Sequence, residues 1–310
     1  MTDQSWLKTP PGEALVQDVV STIVRRYRID EESAKNIVEE IFSKDEALRK
    51  VVEKEKSESK VKRTRAFKEA VAGVKRTIYY SLRRYSVNRD DQRALIAKLS
   101  HAEGAPREVI EGLALEIARS HASSRERLAH RDEFYSQLLP LIDSPASILD
   151  VGSGMQPLLF PFDQVSGLKL YLAADKDADS VAAVNAFAQA SGEGRLTAIN
   201  WDLRNGWQSI FEASGVSRFD VAFLFKLVPV IERQNPELLD VLLETPARRW
   251  VVTGSMISLT KRQRIEKRER AIVRRFCEAA NRRVIHEFSV AEEFGIVAEG
   301  RIDGKFMEEK

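Results

Sequence analysis

The sequence predicts a chain in two parts: an all-helical N-terminal domain over residues 1–120, then, over residues 121–310, an α/β domain built on a seven-stranded, mostly parallel sheet. Three observations carry this expectation. Through the first part the apolar residues recur at three-to-four intervals, the spacing of amphipathic helices. Beyond Pro145, short aliphatic and β-branched runs alternate with helical stretches, the order that covers both faces of a parallel sheet with helices. The first such run ends at Gly152-Ser153-Gly154, and glycines in that place let the backbone approach a ligand closely. The arrangement is Rossmann-like.

In the helical part, DEESAKNIVEEIFSK offers Asp30 as an N-cap and sets Ile37, Val38, Ile41 and Phe42 on one stripe. FKEAVAGVKRTIYYSLRRY repeats the pattern with Phe67, Val71, Val74, Ile78 and Leu82, leaving Lys75, Arg76, Arg83 and Arg84 largely elsewhere on the wheel. Between them EKEKSESKVKRTR has almost no apolar content and reads as a solvated helix or a mobile hinge. In the second part SILDVG, LKLYLAAD, LTAINWD, FDVAFLFK, RRWVVTGS, RVIHEFSV and FGIVAEGRI are the seven candidate strands, the last two an antiparallel hairpin. ADSVAAVNAFAQASG, NPELLDVLLET and TKRQRIEKRERAIVRRFCEAAN are the intervening helices.

With 43% hydrophobic and 31% charged residues the composition is globular. No window approaches the roughly 20 uncharged apolar residues of a membrane helix. The N-terminus has no basic head followed by an apolar stretch, and the single cysteine, Cys277, allows neither an internal disulfide nor a multi-thiolate metal site. A cytoplasmic, metal-free, monomeric protein is expected. The net charge of +2 hides an asymmetry: residues 44–89 carry 15 Lys/Arg against 6 Asp/Glu, and residues 261–275 carry eight against two. Two such runs point to a polyanion, with Lys62, Arg63, Arg65, Lys75, Arg76, Arg83 and Arg84 in the first and Lys261, Arg262 and Arg264 in the second as candidate nucleic-acid contacts. Solvated helix faces are the plainer alternative for either run.

In an open α/β sheet the ligand lies beyond the carboxyl ends of the strands. LDVGSG occupies that position, but Pro157 stands where a dinucleotide-binding turn would have its third glycine. The D-x-G-x-G pattern instead resembles the first motif of enzymes that use S-adenosylmethionine (SAM). Asp175 ends the next run, where a carboxylate can accept bonds from both ribose hydroxyls, and Asp202 ends the third, where it can accept from an adenine amino group with Leu203 against the ring. Each aspartate alone also suits a turn or a helix cap.

Three segments carry a more specific resemblance. SHASSRERL resembles H-x-S-T-x-E-R, LDVGSGMQPL resembles D-x-x-C-G-x-N-P-L, and FKLVPVIERQ resembles F-K-L-L-P-x-x-E-x-Q, in the order and approximate spacing of the aminoglycoside-resistance 16S rRNA methyltransferases, the Arm/Rmt family. The resemblance implies a SAM-dependent enzyme that methylates guanine N7 in 16S rRNA within the 30S subunit. It makes Arg127 the partner of the SAM carboxylate, with Ser123 and Ser124 beside it, and Gly152, Ser153 and Gly154 the cofactor loop. Phe225 is expected at the cofactor or base, although an aromatic ending a central strand is as often core, and Lys226 at guanine O6 or a neighbouring phosphate. The plainer reading of SSRERLAHRDEFY is a capped amphipathic helix with Leu128 and Phe134 inward.

Guanine N7 carries a lone pair and no proton, so methyl transfer to it needs alignment more than a general base. The sequence lacks the N-P-P-Y-like segment of adenine amino-group enzymes and places no cysteine after the fourth strand for C5-pyrimidine chemistry. Ser124, Ser153 and Gln156 stand where the family has Thr, Cys and Asn, and the basic run after SMISL replaces a glycine-rich turn. The rival readings are another RNA target, a small molecule, against which the basic runs argue, and a non-catalytic assembly factor that binds SAM and RNA.

Overall fold

The computed structural model describes residues 5–27, 29–55, 57–83, 89–258 and 263–300. The chain divides into two compact units, Met1–Ser86 with Leu259–Arg262, and Val87–Ser258 with Gln263–Lys310. This division falls earlier than residue 120, the boundary read from the sequence.

The first unit contains α1 (Pro10–Tyr27), α2 (Glu31–Ser43), α3 (Glu46–Lys54), α4 (Glu58–Arg63) and α5 (Arg65–Arg83). Asp30 caps α2 by accepting the Ser33 amide at 2.7 Å, as its position predicts, and Asp45 caps α3 in the same way through Leu48. The stripes of α2 and α5 meet in one core: Val38, Phe42, Phe67, Val74 and Ile78 are buried together with Leu15, Val19 and Ile23 of α1. The charged segment before α5 forms the short α4, anchored by the single buried Val61.

The second unit begins with α6 (Arg89–Ser100), α7 (Arg107–Ser120), α8 (Ala122–Leu128) and α9 (Arg131–Leu138), and continues as β1 (Ser147–Val151), β2 (Leu170–Asp175), α10 (Ala178–Ser191), β3 (Leu196–Asn200), α11 (Gln208–Ser214) and β4 (Phe219–Leu224). It closes with α12 (Leu227–Gln234), α13 (Leu239–Leu243), β5 (Ala247–Ser255), α14 (Glu266–Ala279), β6 (Arg283–Val290) and β7 (Glu293–Glu299). All seven expected strands form one sheet in the order β3-β2-β1-β4-β5-β7-β6, parallel except for β7, which pairs antiparallel with β5 and β6.

Alternation along each strand divides the core in two. Ile148, Tyr171, Ala173, Val221 and Phe223 face a cluster completed by α6, α7, α9 and α10, whereas Leu149, Leu172, Ala222 and Trp250 face one completed by α11 to α14. The first cluster explains the earlier boundary: Ile96 and Leu99 of α6 and Ile110, Ala114 and Ile117 of α7 are buried in it, so these helices cover the sheet. In sequence their stripes are indistinguishable from those of α1 to α5. No described helix is long and apolar enough to cross a membrane.

The strand order reverses between β1 and β4, and at such a switch point the connections leave in opposite directions and open a crevice at the strand ends.

Candidate active site

Three loops meet at that crevice. After β1 the chain turns through Gly152 and Gly154, both left-handed at φ +65° and +51°, a region in which L side chains are strained. Both positions are also crowded. A Cβ on Gly152 would lie 3.1 Å from Leu227, and one on Gly154 would lie 2.8 Å from the imidazole of His121. Asp175 pins this loop to its neighbours: Oδ2 accepts the Gly154 amide and Oδ1 the Asp177 amide, each at 2.8 Å, while its carbonyl accepts the Trp201 amide at the end of β3. Each carboxylate oxygen keeps a lone pair for a further donor.

Asp202 takes the capping role that the sequence left open, accepting the Arg204 amide at 2.9 Å and pairing with the Arg204 guanidinium. Leu203 is buried in the core beside Trp201 and Trp207. Phe225 is 8% exposed and stacks on Phe223 with centroids 4.6 Å apart.

Arg127 lies deeper than its expected role requires. Its side chain is 1% exposed. Its guanidinium is sandwiched 4.3 Å from the Phe134 ring and 4.5 Å from the Phe225 ring, and donates to Gln156 Oε1 and Glu293 Oε1. Gln156 in turn donates to the Tyr135 hydroxyl at 2.5 Å. α8 stops at Leu128, and α9 resumes at Arg131, so the expected single amphipathic helix is two short ones. Phe134 is buried as expected, while Leu128 is half-buried.

Lys226 takes a left-handed conformation unusual for a side chain of its size, φ +56°. Its amide donates to Thr253 Oγ1 at 3.0 Å, and its Nζ lies 2.6 Å from Glu126 and 3.4 Å from Glu293. Burial pushes the Glu293 carboxyl up, but Arg127 and Lys226 together outweigh this and hold it at about 2.

Two buried polar atoms here have no hydrogen-bond partner among the described residues: Arg127 Nε, a donor, and Asp150 Oδ1, an acceptor. Buried polar groups are ordinarily satisfied. A ligand tail carrying both a carboxylate and an ammonium has the complementary chemistry, and Asp175 offers acceptors to a sugar. The residues therefore fit a nucleoside with an amino-acid tail.

Ser124 and Ser153 are buried within this region. The side chains of Ser123 and Arg83, and all of Arg84, Lys261 and Arg262, lie outside the described residues. In the first basic run, Lys62 is tied to Glu58 and Asp18, and Arg65 to Glu69. Arg63 and Arg76 are exposed and Lys75 is half-buried, and none of the three makes a salt bridge among the described residues. In the described part of the second run the arginines are paired. Arg264 pairs with Glu266, Arg268 with Glu269, Arg270 with Glu266 and Glu287, Arg274 with Glu287, and Arg275 with Glu232.

Cys277 is buried in the core, and burial raises its thiol to about 12. Among the described residues no group of three or more His, Cys, Asp or Glu side chains could hold a metal ion. A cleft of about 680 Å³ lined by Ile110, Leu158, Phe160, Phe162 and Phe187 lies near the C-terminal end of α10 and includes none of the expected site residues.

Sequence reading missed Glu293, Gln156, Asp150 and Phe134 as members of this cluster. Asp150 and Gln156 lie within LDVGSGMQPL, and Phe134 within SSRERLAHRDEFY. Glu293 follows Arg127 by 166 positions, as the first residue of β7 just after a hairpin turn with no distinguishing pattern.

The fold and this crevice define the class as a SAM-dependent methyltransferase fold. Two solved structures share it across nearly the whole chain. The 16S rRNA methyltransferase RmtF in complex with S-adenosyl-L-homocysteine is 21% identical with a TM-score of 0.56, covering 94% of this chain and 99% of that one. The 16S rRNA methylase RmtB is 19% identical at 0.51, covering 92% and 98%. The family described as ribosomal RNA methyltransferase (FmrO) matches residues 42–287, and the chain belongs to it. Curated relatives named 16S rRNA (guanine(1405)-N(7))-methyltransferase include one from Micromonospora echinospora, 30% identical over 143 residues, and one from Frankia casuarinae, 32% identical over 129. These alignments cover 46% and 40% of this chain, and the chain spans less than half the length of either relative, 49% and 43%.

Proposed function

We propose that this protein transfers a methyl group from SAM to guanine N7 of 16S rRNA in the 30S subunit; the reading is supported by curated relatives named 16S rRNA (guanine(1405)-N(7))-methyltransferase. The observation that carries the reading is the meeting of the three motif segments. Arg127 touches Gln156, Glu126 holds Lys226, and Leu227 closes on Gly152. Residues spread over a hundred positions build one crevice.

When bound, SAM supplies a methyl group on a positively charged sulfur. Asp175 would hold the ribose, and Arg127 Nε and Asp150 Oδ1 would meet the carboxylate and ammonium of the tail. The turn at Gly152–Gly154 would let the backbone come close, Asp202 would accept from the adenine amino group, and Phe225 lies against the Arg127 guanidinium. Because N7 has no proton to lose, the protein's contribution is orientation. Lys226, two residues beyond β4 with a left-handed backbone, would meet guanine O6 or a flanking phosphate. A paired guanine must leave its helix to reach the crevice, costing a few kcal/mol. Phosphate contacts from Lys75 and Arg76 offset that cost. Acting on ribosomal RNA places the protein in the cytoplasm.

The test is methyl transfer from tritiated SAM to isolated 30S subunits, followed by mapping of the modified nucleotide. Label at a single guanine N7 supports the reading. Label elsewhere moves the target, and SAM binding without transfer makes the protein a non-catalytic assembly factor.

A further inference from the structure

Glu293 is the first residue of β7, entered from the tight turn at Ala291, which is left-handed at φ +50°. Its backbone is fixed by pairing opposite Ser255 of β5 and Val290 of β6, so its carboxylate has a defined origin. The two oxygens then divide. Oε1 accepts from Arg127, and Oε2 lies 3.4 Å from Lys226 Nζ. Glu126, the residue adjoining Arg127, pairs with Lys226 at 2.6 Å and with no other cation among the described residues. The result is an alternating chain Arg127–Glu293–Lys226–Glu126 of two cations and two anions, with Arg127 and Glu293 almost wholly out of water. In such surroundings a shift at one charge is weakly screened and felt at the next.

We propose that Glu293 is a positioning residue, a shared counter-ion that couples Arg127 on the cofactor side to Lys226 on the substrate side, so that filling the cofactor site sets the geometry of the ammonium that meets the RNA. The inference rests on the methyltransferase reading above. A carboxylate tail arriving at Arg127 Nε draws on the guanidinium whose Nη2 holds Glu293 Oε1, and Oε2 transmits the resulting shift to Lys226. Glu126 has no such link.

The experiment follows the Lys226 ammonium by ¹⁵N–¹H NMR in full-length protein labelled at lysine, with the signal assigned by Lys226→Arg, while S-adenosylhomocysteine is titrated in. Calorimetry on the same samples reads ligand binding. In the wild type the ligand is expected to move the Lys226 signal. In Glu293→Gln that response is expected to disappear, and in Glu126→Gln to persist from a displaced starting position. Activity should divide similarly, with kcat of Glu293→Gln down about 10–100-fold, as misplacement by about 1 Å implies, and KM for 30S subunits little changed. A Lys226 signal that responds equally in the wild type and Glu293→Gln overturns the proposal. Should Glu293→Gln not fold, the wild type decides alone: bound ligand with an unmoved Lys226 signal overturns it too. A wild type that binds no ligand by calorimetry instead overturns the functional reading, and the counter-ion role is then judged by whether Glu293→Gln moves the Lys226 signal at all.

Discussion

Tyr171 donates its phenolic hydroxyl to Asp150 Oδ2 over 2.7 Å, the one hydrogen bond to that carboxyl among the described residues. Burial raises the Asp150 carboxyl to about 7, with the Tyr171 bond and Arg127 pulling less strongly the other way. A folded-state value raised above the ordinary 3.8 means that folding favours the protonated form. The stability this gives is complete below about pH 4 and is lost as pH rises to about 7. Asp150→Asn has no such dependence. Its stability relative to the wild type should therefore rise by about 2–4 kcal/mol between pH 4.5 and pH 8, one pKa unit being worth about 1.4 kcal/mol. Urea unfolding at the two pH values measures this, and a pH-independent difference would mean that Asp150 is ionised throughout.

Arg127 is held by Glu293, Gln156 and two aromatic faces. Arg127→Ala leaves the buried Glu293 carboxylate only Lys226, 3.4 Å away, as a counter-ion among the described residues and should cost about 3–5 kcal/mol of stability. Loss of cofactor affinity in that variant would be confounded with loss of fold. Arg127→Lys keeps the charge but forfeits the planar fork and its stacking. It should fold and bind S-adenosylhomocysteine roughly 10–100-fold more weakly, the worth of a hydrogen bond to a charged group. Thermal melting and calorimetry separate the two effects, and undiminished affinity in Arg127→Lys would remove Arg127 from the cofactor site.

Much of this was legible in the sequence because it rested on local signals. Strand runs, the Gly152–Gly154 turn and Asp175 are each specified by a few neighbouring residues whose backbone or burial requirements leave little choice. What was not legible depends on pairing across distance. The salt bridges of Arg274 and Arg275 in α14 to Glu287 and Glu232, and of Lys62 to Asp18 on α1, join residues remote in sequence and leave no local pattern. The helices α6 and α7 could not be assigned to the sheet unit, since an apolar stripe does not state which surface it meets. Glu293 was invisible for the same reason.

The two basic runs should behave differently when mutated. Reversing charge at Lys75 and Arg76, which make no salt bridge among the described residues, should weaken binding to 30S subunits and flatten its salt dependence, each lost phosphate contact lowering the slope by about one. Folding and cofactor affinity should be unchanged. Reversing Arg270 and Arg274, which pair with Glu287, should lower the melting temperature and leave the salt slope unaltered. Filter binding across a salt series alongside melting curves distinguishes these, and equal slopes for Lys75/Arg76 variants and the wild type would make the α5 charges plain solvated surface.

Gly154 and Gly104 are both left-handed, at φ +51° and +80°, but only Gly154 is crowded: nothing lies within 4 Å of a Cβ built on Gly104. Gly104→Ala therefore isolates the conformational penalty of about 1–2 kcal/mol. Gly154→Ala adds a methyl 2.8 Å from the His121 ring, at the loop whose amide Asp175 holds. The ring can swing aside, so the added stability cost is modest, but the move displaces the start of α8 relative to the loop, and Arg127 lies on α8. The expected signature is a divergence between the two variants. Both should unfold at lower urea concentration, whereas only Gly154→Ala should lose affinity for S-adenosylhomocysteine. If both bind it as the wild type does, the close approach at Gly154 serves packing of the turn and not the ligand.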